Sequence, residues 1–187
     1  NLKPEESTSY EIGLDQKLNY GLSAYLSGYS TNVKNLISSG KINGKTTYIN
    51  VNKARIQGGE LGIKWAFDNL FANAEYAYTK AQNRTTDLDI PYRPRQTYTL
   101  TLGYDDGIYG VNTSLISRSK MNTSSQNIKV SGSAIVDVNA FWNVNSNVKI
   151  FTNIQNIGDL QNIIVNDFGS EYINGGRLAS VGVTLKY

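Results

Sequence analysis

Cysteine and histidine are both absent from this chain of 187 residues, and each absence excludes a class of chemistry. Without cysteine there is no disulfide framework, no thiolate metal site and no cysteine nucleophile. Without histidine the chain lacks the commonest general base and the commonest metal ligand. The sequence fingerprints of phosphate-binding loops, dinucleotide-binding folds and serine hydrolases are missing as well. We therefore expect no enzyme activity, no catalytic residues, no metal site and no cofactor.

Long apolar runs and runs of one charge are also missing. No segment approaches the ~18 consecutive apolar residues typical of a transmembrane helix, and residues 1–5 carry neither the charged nor the apolar region of a signal peptide. The 18 basic and 15 acidic side chains are spread along the chain, so no basic run predicts a nucleic-acid partner. Proline is scarce at 3 residues, and the mean hydropathy is only -0.36. These values are typical of short strands that are apolar on one side.

Apolar and polar residues alternate with a period of two through most of the chain, which predicts β-strands with one apolar and one wet face. In residues 179–187 every odd position is apolar and every even position is small or polar. Similar segments lie at residues 9–15, 20–26, 61–67, 70–79, 97–104, 109–115, 134–144 and 148–154. They predict about nine strands, most near the ~9–11 residues that cross a bilayer when tilted. The apolar parity changes around Gly58 and Gly59, which predicts a β-bulge there.

The connections between these strands alternate strictly between short and long. Short turn-forming stretches lie near residues 17–19, 68–69, 105–107 and 145–147, and longer polar stretches at 33–46, 80–93, 119–131 and 158–176. In an antiparallel meander this alternation places all short turns at one end of the sheet and all long loops at the other. Transmembrane barrels have this asymmetry, with short periplasmic turns and long extracellular loops.

Aromatic residues fall near both ends of the predicted strands, as in the two aromatic girdles of a membrane barrel. Those near the short turns are Trp65, Phe67, Tyr104, Tyr109, Trp142 and Tyr187, and those near the long loops are Tyr76 and Tyr78. A soluble β-sandwich or a lipocalin-like barrel also alternates, and alternation alone does not distinguish inside from outside. The girdles favour the membrane barrel. Because bacterial single-chain barrels have an even number of strands, the odd count predicts either part of a larger barrel or a count that is wrong by one.

Five segments resemble TonB-dependent receptors of Gram-negative outer membranes. They read NLKPEES and YEIGL at residues 1–7 and 10–14, YINVNKARIQG at 48–58, PYRPR at 91–95, NIQNIGD at 153–159, and Gly176-Arg177 before a strand that ends in Tyr187. The second segment looks like that of catecholate siderophore receptors, the colicin I receptor type in particular. The resemblance covers essentially the whole chain, in the family's order.

The resemblance implies that residues 1–187 are the C-terminal part of an antiparallel transmembrane β-barrel of about 22 strands in the bacterial outer membrane. Complete receptors of this family also have an N-terminal plug and a short box that contacts TonB, neither of which we expect within this sequence. The implied function is uptake of a ferric siderophore, of the catecholate type, energised by TonB. The implied partners are the siderophore, the receptor's own plug, and TonB.

A ferric catecholate carries negative charge and flat aromatic rings, so its site would offer Arg or Lys for charge and aromatic side chains for stacking. On or beside the predicted long loops, the candidate ligand-binding residues are Lys41, Lys45, Tyr48, Arg84, Tyr92, Arg93, Arg95, Arg118, Lys120, Tyr172 and Arg177. Each has a plainer interpretation as a solvated cation, a contact to lipopolysaccharide phosphates or an interface anchor. Arg93 and Arg95 also suit an architectural role.

Several alternatives stay open. Haem or cobalamin uptake is compatible with the receptor class, and colicins or phages are further candidate partners, beside outer-membrane lipid and lipopolysaccharide. An outer-membrane enzyme would need a serine, a histidine and an acid near one girdle, so the absence of histidine counts against it. A structural or adhesin barrel would not need a plug-sized lumen.

Overall fold

The computed structural model describes residues 2–42, 45–123, 128–167 and 170–187, and these residues fold into β-strands and their connections. The strands are β1 Glu6–Lys17, β2 Leu22–Ile42, β3 Lys45–Phe67, β4 Leu70–Asn83, β5 Gln96–Asp105, β6 Tyr109–Arg118, β7 Met121–Asn122, β8 Lys129–Val130, β9 Ser133–Asn143, β10 Val148–Gln155, β11 Ile163–Asp167, β12 Ser170–Ile173 and β13 Leu178–Leu185. Within these residues no helix is long and apolar enough to cross a membrane.

Nine of the strands form one antiparallel sheet in the order β1-β2-β3-β4-β5-β6-β9-β10-β13. The other four form two small hairpins, β7–β8 and β11–β12, which lie in the connections between β6 and β9 and between β10 and β13. Each strand of the large sheet therefore pairs with the one before and after it in the meander, and β1 and β13 are its two edges. The prediction of about nine antiparallel strands is confirmed.

The connections at one end of the sheet are tight, as the sequence predicted. Residues with positive φ make the reversals, among them Gly21 at 72°, Asp68 at 52° and Gly107 at 85°. Glycine and aspartate tolerate the left-handed region better than most residues, which is why such residues occupy these positions. The link from β3 to β4 needs only Asp68 and Asn69.

One face of the sheet is mainly apolar toward the short turns in all nine strands, and we call this whole face the apolar face. The register shows this directly, because residues that pair across neighbouring antiparallel strands point to the same side. One such row runs through Leu14, Leu26, Leu61, Tyr76 and Tyr98. From this row to the short turns, the paired positions of the described strands on this face carry no Asp, Glu, Lys or Arg.

The opposite face is polar, and we call it the polar face. Its corresponding row runs through Asp15, Tyr25, Gly62, Glu75 and Thr99. Six charged residues of the strands lie on this face, namely Glu11, Asp15, Glu60, Lys64, Glu75 and Asp137. The alternation therefore reports a true segregation of charge from apolar surface.

The sheet has almost no packed core. Among the described residues only Ala54, Ala81 and Val130 are buried hydrophobics, whereas Ile12 is 80% and Val181 is 77% exposed. A soluble sandwich would cover its apolar face with a second layer, and the described chain forms a single layer. The exposed apolar face is therefore a surface that needs an apolar environment, as the lipid-facing side of a transmembrane barrel does.

Glycines on the polar face make room for aromatic rings from the adjacent strand. A Cβ added to Gly62 would lie 2.0 Å from the Tyr25 ring, and a Cβ added to Gly110 would lie 2.0 Å from the Phe141 ring. Each ring belongs to the direct cross-strand partner of its glycine. The aromatic side chains thus cover backbone that would otherwise be bare, an arrangement that helps to pin the strand register.

The prediction of a long loop at residues 33–46 is wrong. β2 continues to Ile42 and β3 begins at Lys45, and the two strands stay paired up to those residues. Backbone pairing does not depend on side-chain polarity, and alternation disappears where both faces of a hairpin are wet. Lys41, Lys45 and Tyr48 therefore belong to strands, and the Lys41 side chain lies outside the described residues.

The predicted β-bulge at Gly58 and Gly59 is also wrong. The β2–β3 register is continuous there, with Gly58 opposite Tyr29 and Gly59 opposite Gly28. Ile56 lies on the polar face, opposite Thr31, whereas the following apolar residues of β3 lie on the other face. The apolar parity changes because Ile56 is an apolar residue on the polar face, whereas the backbone pairing stays regular.

Candidate functional site

A cavity of about 230 Å³ lies at the long-loop end, between the connection that precedes β5 and the β7–β8 hairpin. Four cations and one carboxylate line it, together with Ile90, Met121 and Asn122: the charged residues are Arg93, Arg95, Lys120, Lys129 and Asp89. Ile90 and Met121 supply apolar surface within the cavity. The lining therefore combines a positive balance of charge with apolar contact area.

Asp89 neutralises one of these cations. Its carboxylate forms an ion pair of 2.6 Å with Arg95 and accepts a longer hydrogen bond of 3.4 Å from Asn122. The Ser119 hydroxyl accepts the backbone N–H groups of Arg95 and Gln96 at 3.1 Å each. These contacts tie the segment before β5 to the end of β6. Arg95 thus lines the cavity and also joins the segments that form it. These contacts support the architectural interpretation of this residue.

The remaining three cations are available to a ligand. Arg93, Lys120 and Lys129 are exposed, and among the described residues ion pairs involve only Arg84 and Arg95. The pairing of Asn122 with Lys129 in the β7–β8 hairpin brings Lys129 to the cavity. An anion in this cavity would meet three unpaired positive charges in a partly screened position.

Three other candidates of the second and third long connections do not line the cavity. Tyr92 is half-buried, adopts a φ of 57° and donates its backbone N–H to the Asn122 carbonyl at 2.8 Å. Arg84 makes an exposed ion pair of 3.4 Å with Asp87 in its own turn. Arg118 ends β6 opposite Ser133. Tyr92 therefore joins the two loops, whereas Arg84 and Arg118 belong to separate local environments.

The candidates on the β2–β3 hairpin extend away from the body of the sheet. β1 pairs with β2 only as far as Lys34, and β4 pairs with β3 only as far as Ala54. Tyr48 lies six residues beyond Ala54, about 20 Å along the strand, and is 70% exposed. Lys45 is also exposed. These residues form a separate projecting surface.

The last two candidates lie in the connection between β10 and β13. Tyr172 is an exposed residue of β12, and Arg177 is exposed just before β13. Asp159 accepts the Arg177 backbone N–H at 2.7 Å, so this part of the connection is held at its base. Neither side chain lines the cavity described above.

Sequence reasoning therefore identified three of the five charged residues of the cavity. Asp89 and Lys129 were missed because nothing local distinguishes them from solvated loop charges. Two weak signals could have found them. Asp89 lies close to the PYRPR segment, and Lys129 lies within the third long polar stretch, residues 119–131. Among the described residues no cluster of three or more histidine, cysteine, aspartate or glutamate side chains could hold a metal ion.

Comparison with known proteins decides the family. The family model described as "TonB dependent receptor-like, beta-barrel" matches residues 1–157. This chain belongs to the TonB-dependent receptor β-barrel family. The family is one of outer-membrane transporters and receptors and not of enzymes.

Individual relatives agree with this family assignment. A vitamin B12 transporter, BtuB, of Photobacterium profundum is 27% identical over 168 residues, which cover 85% of this chain and 27% of the transporter. The solved structure of the copper transporter OprC matches 100% of this chain and 32% of its own, at 24% identity and a TM-score of 0.84. The ferric enterobactin receptor PfeA of Pseudomonas aeruginosa matches with the same coverage, at 21% identity and a TM-score of 0.80.

The chain spans only about a quarter to a third of the length of these relatives. As part of a TonB-dependent receptor barrel, the nine-stranded sheet is an open segment with two unpaired edges. In this family fold, the apolar face is the side toward lipid and the polar face is the side toward the lumen.

Proposed function

We propose that this chain is the C-terminal barrel segment of an outer-membrane receptor that takes up a ferric siderophore of the catecholate type. The observation that carries the proposal is the cavity with three cations that form no ion pair among the described residues, beside apolar Ile90 and Met121. Ferric catecholates are anionic and present aromatic surface, which suits this lining. Solved relatives include receptors for ferric enterobactin and for pyoverdine, which are siderophores.

The mechanism that we propose for the complete receptor has two steps. The extracellular loops capture the ligand, and a plug in the barrel then rearranges when TonB transmits the energy of the proton-motive force. In this chain, Arg93, Lys120 and Lys129 would attract and hold the anionic ligand, while Asp89 and Arg95 would keep the two loops together. We further propose that bacteriocins use the same loops, since a solved relative forms a complex with pyocin S2.

Uptake of cobalamin is the second candidate function. It is favoured by the similarity to the vitamin B12 transporter, which covers 85% of this chain. The two candidates differ in their dependence on charge. A polyanionic ferric catecholate would depend strongly on the free cations, whereas cobalamin binding would depend mainly on shape and apolar contact.

The test uses the full-length receptor, purified in a neutral detergent, with ferric enterobactin and cyanocobalamin as probes. For ferric enterobactin we expect R93Q/K120Q/K129Q to weaken binding by on the order of a hundredfold, at about fivefold for each lost charge. The control K17Q/K64Q/K186Q removes three polar-face cations near the short turns and should leave the affinity within threefold. If the unmodified receptor binds cyanocobalamin tightly and R93Q/K120Q/K129Q binds it equally well, cobalamin replaces the siderophore as the proposed ligand.

A further inference from the structure

A group of cations interrupts the apolar face at its long-loop end. Lys53 and Arg55 of β3 and Lys80 of β4 are its main members, and we call them the outer cation group. The cross-strand rows place them on the apolar face: Lys80 is opposite Gln57, which lies two residues from Arg55 and four from Lys53. All three residues lie outside the set of candidate ligand-binding residues that the sequence predicts on or beside the long loops.

The position of the outer cation group relative to the aromatic residues is informative. Lys80 is two residues beyond Tyr78 on the same face, so it follows the last outward tyrosine of β4 by about 7 Å. In the register across the sheet, Lys80, Gln57, Ser30 and Tyr10 form one row. The cations therefore begin where the band that contacts hydrocarbon ends, at the level of lipid headgroups.

The arrangement suits an extended anion with more than one phosphate. Lys53 and Arg55 are about 7 Å apart along β3, and Lys80 lies roughly 8 Å from Arg55 on the neighbouring strand. The Arg55 Nε donates to the Asn32 side-chain oxygen at 2.9 Å, which holds the guanidinium in place. Arginine and lysine are the residues that bind phosphate oxygens in proteins. The group therefore offers three positive charges across a span of about 14 Å.

Acidic side chains near the outer cation group are few and lie at its margin. Lys34 pairs across the sheet with Lys53 on one side and with Glu6 on the other, so Lys34 lies between Glu6 and the group. Asp87 pairs with Arg84. In the described residues neither Lys53, Arg55 nor Lys80 forms an ion pair. The positive charge of the group is therefore not neutralised by an ion pair in the part of the chain that the structure describes.

We propose that Lys53, Arg55 and Lys80 bind the phosphate groups of a glycolipid in the outer leaflet of the outer membrane. The site is continuous with the lipid-facing band, so a lipid that covers the apolar face brings its headgroup to these cations. The proposal rests on the outer-membrane location proposed above, and it is independent of which ligand the receptor transports. Its failure and the failure of siderophore binding are separate results, because the two sets of variants share no residue.

The test uses the full-length receptor in a neutral detergent with EDTA, and a fluorescent diphosphoryl lipid A as the probe. Each cation near a charged membrane surface contributes about fivefold to affinity. We therefore expect K53Q/R55Q/K80Q to bind the probe on the order of a hundredfold more weakly than the unmodified receptor. The matched control K17Q/K64Q/K186Q should stay within threefold, and K53R/K80R should bind as the unmodified receptor does. Heat-dependent gel mobility shows that each variant is folded.

Two further arms decide the nature of the ligand. Lipid A without phosphates should bind the unmodified receptor and K53Q/R55Q/K80Q equally, because only the phosphate contacts differ between them. Inorganic phosphate should fail to displace the probe at concentrations far above those of the lipid. Unchanged affinity in the variant, an equal loss in the control, or displacement by inorganic phosphate at lipid-like concentrations would each overturn the proposal.

Discussion

Asn156, at the end of β10, holds the base of the connection that leads to β13. The residue is 4% exposed and adopts a φ of 52°. Its side-chain Nδ2 donates to the carbonyls of Leu160 and Gly175 at 2.8 and 3.2 Å, and its Oδ1 accepts the Leu160 N–H at 3.0 Å. Its own N–H donates to the Asp137 carboxylate at 2.7 Å. One side chain thus joins both ends of the connection to the sheet.

We predict that Asn156→Ala opens this connection locally. The substitution removes three hydrogen bonds in a buried setting, each worth about 1 kcal/mol. Alanine at a positive φ adds about 1 kcal/mol, because its Cβ is unfavourable in the left-handed region. The sum is about 4 kcal/mol, whereas Asn156→Gly should cost about 3 kcal/mol because glycine tolerates this φ. The difference between the two variants therefore reports the cost of a Cβ at this φ, less the extra conformational entropy that glycine loses on folding.

Amide hydrogen exchange of the full-length receptor in detergent measures this effect. Because about 1.4 kcal/mol corresponds to a factor of ten, Asn156→Ala should reduce protection of the Leu160 and Arg177 amides by at least a hundredfold. The control Asn145→Ala removes two hydrogen bonds to turn amides at an exposed site, and its effect should stay below tenfold. Protection changed by less than threefold at Leu160, or lost equally in every strand, would refute the role assigned to Asn156.

Two further predictions concern the sheet. Gly110→Ala places a Cβ 2.0 Å from the Phe141 ring, so it should lower the free energy of unfolding in denaturant by about 1–3 kcal/mol. In the control Gly13→Ala the nearest contact of the added Cβ is 3.7 Å, and the loss should be less than about 1 kcal/mol. Equal losses in the two variants would contradict the packing argument. The N–H of Tyr109 donates to the Asp106 carboxylate at 2.6 Å and is the main cause that lowers the pKa of Asp106 below its ordinary value of 3.8. This stabilisation is present above pH 3.8 and is lost as the pH falls through the lowered pKa. The protection of the Tyr109 amide, relative to its intrinsic exchange rate at each pH, should therefore fall there in the unmodified receptor but not in Asp106→Asn.

Most of the fold could be predicted from the sequence, because alternation and turn chemistry are local signals. The pattern in residues 179–187 predicted β13, and the short stretches at 68–69 and 105–107 predicted two of the tight turns. The prediction failed where both faces of a strand are wet. Beyond Lys34 the β2–β3 hairpin continues without alternation, so its polar residues resembled a loop.

The candidate site could be predicted only in part. Arg93, Arg95 and Lys120 were selected for their charge and their place in long connections, and the structure brings these three together. The same criterion selected Arg84 and Tyr172, which lie elsewhere. Charge on a loop is common and does not specify a partner, whereas proximity depends on how two separate loops pair.

The sequence by itself determined that this chain forms a sheet with one apolar and one polar face, because a strand of period two sorts its residues without reference to the rest of the molecule. The tertiary structure decided which charges meet. The pairing of Asn122 with Lys129 and the ion pair between Asp89 and Arg95 create the cavity, and the register of β3 and β4 creates the outer cation group. Both depend on contacts between residues distant in sequence, which the local pattern does not encode.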